Sequence, residues 1–179
     1  LVKRADSLLT FDPEKNFYPP EKITPLGVAL LLFILVASIT LYEIIRKKYL
    51  RLLDILLFGI AGTAGCTLFY ITCLSIHPSV FPNWSLVWLH PFHLVGALFL
   101  TVKRFSKAAE NYHLINFVVL SLLLAGWPLI PQHMNIAFIP LVLTLWTRST
   151  FAVYRSRKRF FKLRQPIVEP FPSISQTKS

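Results

Sequence analysis

Residues 77–94, HPSVFPNWSLVWLHPFHL, gather most of the groups in this chain that could do chemistry. They include His77, His90 and His93, the amide of Asn83, three prolines and two tryptophans, and no Lys, Arg, Asp or Glu. A second segment free of fixed charge, PQHMN at 131–135, adds Gln132, His133 and Asn135. Imidazoles can ligate a metal or carry a proton, and amides can bind lipid head groups or neighbouring loops. Three readings stay open for this polar corner. The side chains satisfy one another and stitch two loops together, or they contact head groups or a partner domain, or they supply a metal site or general base. Zinc needs three or four ligands at set distances, and here no carboxylate or cysteine is near and no HExxH motif occurs, so no metal or cofactor is expected.

Other chemistry finds less support. Ser85 lacks the flanking glycines of a nucleophile elbow, and no phosphate-cradling glycine motif occurs. Cys66 and Cys73 are seven residues apart, about 10 Å along a helix axis, too far for a disulfide.

The elements that must carry these residues are apolar. Of 179 residues, 54% are hydrophobic and 15% charged, more apolar side chain than one soluble core of this size can hide. Lys and Arg number 19 against 8 acids, a net charge of +11. That excess suits nucleic acid or a membrane protein with charge-sorted loops, and the apolar content decides for the membrane. Five runs are long and apolar enough to be spans: 25–45, 52–76, 86–102, 113–130 and 136–153, an all-α bundle. Pro25 suits a first helical turn, and Thr24 can cap it. His90 and His93 share a face of the third span, about 6 and 10 Å in from Leu86, with Pro91 freeing a carbonyl one turn earlier. Histidines at that depth need partners, and Asn83, Ser85, His77, Gln132, His133 and Asn135 are the candidates.

Basic residues alternate between loops. Arg46, Lys47, Lys48 and Arg51 follow the first span, Lys103, Arg104 and Lys107 the third, and YRSRKRFFKLR the fifth, whereas 77–85 and 131–135 carry none. The positive-inside rule then puts the N-terminus outside and the C-terminus in the cytoplasm, with both polar loops on the outer face. The basic tail 154–179 reads as a contact for anionic lipid, not nucleic acid. Residues 1–24 begin at Leu1 without a signal core, and we expect them to be a linker from an upstream domain. Within the spans, Gly59, Gly62 and Gly65 suit close helix packing. Asp54 is expected to pair with Arg51 on its own helix, and Glu43 with Arg46 and Lys47. Mid-span positions are largely apolar, with polar groups collected at the ends.

The segments FYPPEKITP, LDILLFGIAGTAGCTLFYITCLSIHP, NWSLVWLHPFHL and LIPQHMNIAFIPLVLTLWTRS follow one another in an order that resembles the five-helix membrane domain of the Lnb-type lipoprotein N-acyltransferase family. The resemblance covers most of 17–153. It implies a bacterial inner-membrane protein that moves an acyl chain from a phospholipid to the N-terminal cysteine of a lipoprotein. It implies that nucleophile and base lie in a periplasmic domain upstream, so no catalytic residue is carried over. His77, Asn83, His93, Gln132 and Asn135 carry over as lining of the substrate access, while His90 and His133 belong only to the polar corner. The implied partners are membrane lipids, lipoprotein substrates and the upstream domain. A plain anchor or assembly subunit is the alternative. A transporter subunit would need broken helices or polar residues at mid-membrane, which the apolar spans do not suggest.

Overall fold

A computed structural model describes residues 23–74 and 83–164, with side chains up to residue 158. His77, nearly all of the expected linker and the end of the basic tail lie outside the described residues. Among those described there is no strand, and five main helices form the domain.

Helix α1 spans Pro25–Arg46. Thr24 caps it, its Oγ1 accepting from the Gly27 N–H at 3.1 Å, and Pro25 opens it, as expected. It ends at Lys47, which adopts the left-handed conformation (φ 52°) common at helix C-termini. Only one stripe of α1, Ala29, Val36, Thr40 and Glu43, is buried; Leu31, Leu35 and Ile45 remain exposed, the outward face of a helix solvated by lipid.

Helix α2 spans Arg51–Phe69 and widens into a π turn over Tyr70–Leu74. It packs chiefly on α3, which spans Phe92–Thr101. Gly62 and Gly65 make that approach possible. A methyl on Gly62 would collide with the backbone and side chain of Leu94, and one on Gly65 with the His90 carbonyl. Gly59 has nothing within 4 Å and takes no part.

The expected third span is broken. A 3-10 turn over Trp84–Val87 leads into a non-helical stretch at 88–91, and α3 begins only after Pro91. Proline has no N–H to give and cannot continue an incoming helix, so the chain starts a new one. Helix α4 spans Ser106–Ala125, preceded by a 3-10 turn at Lys103–Phe105. It starts seven residues before the apolar run that marks it in sequence, because KAAENY forms helix readily without being apolar. Helix α5 spans Phe138–Arg164, well past the expected end at 153.

Four helical segments are long and apolar enough to cross a membrane: Pro25–Arg46, Arg51–Leu74, Trp84–Thr101 and Lys103–Ala125. The protein is therefore a multi-pass membrane domain. Helix α5 is not among the four, since Arg148 and Arg155 dilute its apolar run.

Candidate functional site

The break before α3 places His90 and His93 deeper than expected. They lie beside Gly65 and Gly62, midway along α2, not among the polar loops. His93 is fully buried. Its Nε2 sits 2.8 Å from the Trp88 carbonyl and its Nδ1 2.5 Å from the Tyr112 hydroxyl. A carbonyl can only accept, so Nε2 donates to it and Nδ1 accepts from Tyr112. The partners expected in the polar loops are replaced by a backbone carbonyl freed at the break and by a tyrosine of α4. His90 stacks on His93 with ring centroids 4.0 Å apart. Phe58 meets Tyr112 and His113 edge-on, and Asn116 donates to Ser149 at 2.8 Å. Polar side chains thus lie deep in the bundle, which corrects the expectation that they collect at the helix ends. Among the described residues no group of three His, Cys, Asp or Glu side chains converges as a metal site.

A second polar centre corrects the expected ion pairs. Arg148 of α5 is fully buried, as are Glu43 of α1 and Asp54 of α2. Arg148 Nε donates to Asp54 Oδ1 at 2.5 Å, and Nη1 donates to Glu43 Oε2 and to Thr40 Oγ1, the latter at 2.9 Å. The remaining carboxylate oxygens take neutral donors: the Tyr49 hydroxyl reaches Asp54 Oδ2 at 2.8 Å, and the Leu50 N–H reaches Glu43 Oε1 at 2.5 Å. Burial, and then the Asp54 charge, push the Tyr49 hydroxyl well above its ordinary pKa, so it stays a donor. The pairs expected with Arg51, Arg46 and Lys47 do not form, because a pair on one exposed helix face gains a few tenths of a kcal/mol at most, roughly, while a desolvated carboxylate requires a buried partner. One guanidinium ties three helices at the end where the basic residues lie.

At the opposite end the two polar loops do meet. The Gln132 Oε1 accepts from the Trp84 N–H at 2.7 Å. Asn83 caps the 3-10 turn through the Ser85 N–H, and Asn135 accepts from the Ala137 N–H at the start of α5. His133 is exposed. Helix α1 packs on α5 and α2 on α3, and between these pairs lies an open groove of about 670 Å³. Its walls are apolar, with Leu32, Ile60, Ala64, Leu68 and Leu141 among them, and Asn83, Ser85, Gln132 and Thr144 are its polar lining. Trp88 also lines it, and the indole Nε1, buried, has no hydrogen-bond partner among the described residues.

The sequence pattern of the Lnb transmembrane domain family matches residues 14–159. The chain belongs to that family. No curated protein and no solved structure matches it.

Of the seven candidate residues, this Lnb transmembrane domain brings Asn83 and Gln132 to one groove and sets Asn135 and His133 on the loop beside Gln132. His90 and His93 form a separate, deeper cluster, and His77 lies outside the described residues. Tyr112, His113 and Asn116 are interior polar groups that the sequence does not single out: Tyr112 falls just before the expected span 113–130, and His113 and Asn116 sit singly within its apolar run. The sequence reading also missed the partners of Arg148. A signal for the latter existed: an arginine within an apolar run demands internal acids, and Glu43 and Asp54 are the two acids inside the expected spans.

Proposed function

We propose that this domain anchors a periplasmic lipoprotein N-acyltransferase in the bacterial inner membrane and presents lipid acyl chains to it at the outer face. The groove carries the reading. An acyl chain can lie along its apolar wall without burying a polar group, while its ester carbonyl finds the unpartnered Trp88 N–H and the amides of Asn83 and Gln132. The orientation, N-terminus periplasmic and C-terminus cytoplasmic, rests on the basic residues of the 46–51 and 103–107 turns and of α5 beyond 154 falling at one end. Helix α5 makes the fifth crossing because the charge of Arg148 is neutralised inside the bundle. The nucleophile and base belong to a periplasmic domain preceding this one, and lipoproteins and phospholipids are the substrates.

The test is to fill the groove. Ala64→Phe in the full-length protein narrows it at a lipid-exposed position, and Asn83→Ala removes an amide lining it. Lipoprotein N-acylation, measured in cells at matched protein abundance, falls several-fold in both. Unchanged acylation in both removes the presenting role. The plain-anchor reading draws on Gln132, Asn83 and Asn135 each already serving a loop or cap. An unrelated anchor of the same topology that retained activity would favour it. A transporter is disfavoured despite the broken third span, since Arg148 and His93 are closed off by partners instead of lining a path.

A further inference from the structure

We propose that the end of the domain opposite the groove holds a pocket for a phosphate ester, occupied by the head group of an anionic phospholipid. A cavity of about 250 Å³ lies there among α2, α3, α4 and α5. It is smaller than the roughly 300 Å³ at which pockets for drug-sized ligands begin, and suits a head group. Arg51, Lys103 and Arg155 line it against one acid, Glu110. Arg155 is held in place over the Tyr49 ring, 3.4 Å from its centroid.

Two further observations point to an anion. Arg51 begins α2 and Ser106 begins α4, and neither helix has a side-chain cap at its N-terminus. Cations at a helix N-terminus oppose the macrodipole, whereas a phosphate there is favoured by both the dipole and the backbone N–H groups. Then there is His113. It lines the cavity, is 2% exposed, and neither ring nitrogen has a hydrogen-bond partner among the described residues. A buried imidazole with both nitrogens unmet is costly, and a phosphate ester or its bound water would supply what is missing. Apolar walls from Phe99, Leu100 and Ala152, at the level where the helices end, favour a lipid-borne phosphate over a free one.

The test uses the intact protein in nanodiscs of phosphatidylcholine, with or without phosphatidylglycerol, and reads the melting temperature. Phosphatidylglycerol is expected to raise it. The double variant Arg51→Gln/Lys103→Gln should lose most of that rise, and so should the single exposed change Lys103→Gln in part, should the double variant fail to fold. A matched control, Arg46→Gln/Lys48→Gln, removes the same charge outside the cavity and should keep the rise. Equal losses in pocket and control variants, or no rise in the wild type with either phosphatidylglycerol or inorganic phosphate, would overturn the pocket. A rise with inorganic phosphate in phosphatidylcholine discs that matches the lipid effect, and that the pocket variant loses, keeps the phosphate site but overturns the lipid as its occupant.

Discussion

The two ends of this domain handle polarity in opposite ways. At the basic end Arg148, Glu43 and Asp54 are fully buried and closed on one another and on Thr40, Tyr49 and Leu50. At the other end Asn83 and Gln132 line a wide apolar groove, with Trp88 left unpartnered. The first arrangement joins α1, α2 and α5; the second leaves α1 and α2 apart. A buried charge in hydrocarbon must be matched completely or it costs several kcal/mol, so the clamp has no capacity left for a ligand. Asn83 and Gln132, at the edge of an apolar trough, use their carbonyl oxygens for the cap and the loop contact, and no partner is found for their side-chain N–H groups among the described residues. The difference separates the contacts that hold the bundle from the groove on which the proposed function rests.

The comparison can be broken most decisively at Arg148. Arg148→Met strands two buried carboxylates and should lower unfolding stability in detergent by about 3–5 kcal/mol. Adding Glu43→Leu and Asp54→Leu should restore most of it, because an apolar replacement of a buried triad is often neutral or stabilising. A loss confined to the noise of the measurement would mean the clamp is dispensable. At the helix contact, Gly65→Ala meets the His90 carbonyl and should cost about 1–3 kcal/mol. Gly59→Ala faces open space and should be neutral or mildly stabilising, by up to about 1 kcal/mol. Equal melting temperatures for the two variants would contradict the described packing. Tyr112→Phe leaves His93 Nδ1 without its donor and should cost about 1–3 kcal/mol, while His133→Ala, at an exposed loop position, should leave the melting temperature unchanged. Smallest of the expected losses, Gln132→Ala should cost about 1 kcal/mol by releasing the Trp84 N–H, and Gln132→Glu, which keeps the acceptor, should restore it.

Much of the architecture is legible residue by residue. Thr24 and Pro25 mark the start of α1, and α2 begins within one residue of its apolar run and with its π turn reaches Leu74, where the described residues stop short of the expected end at 76. The meeting of the two uncharged loops was also readable, from the absence of Lys and Arg in both. The beginning of α4 was not, because hydropathy marks where a helix becomes apolar, and Ser106 to Tyr112 are helical and largely polar. That difference in start leaves Tyr112 inside what looks like a loop in the sequence. Pro91 is visible in the sequence, yet its consequence, a break that carries His90 and His93 to mid-bundle, depends on how closely α2 approaches, and that is set by Gly62 and Gly65 together.

The sequence alone determined that this chain enters a bilayer, that its spans are helical and that its basic residues fall at one end, since each follows from the local cost of placing a side chain in hydrocarbon. Only the tertiary structure decided that Arg148, and not Arg51, neutralises Asp54, and that Tyr112, not a loop amide, donates to His93. Partner choice depends on which helix faces are desolvated together, and a buried group takes the partner that shares its burial, whatever lies beside it in the chain.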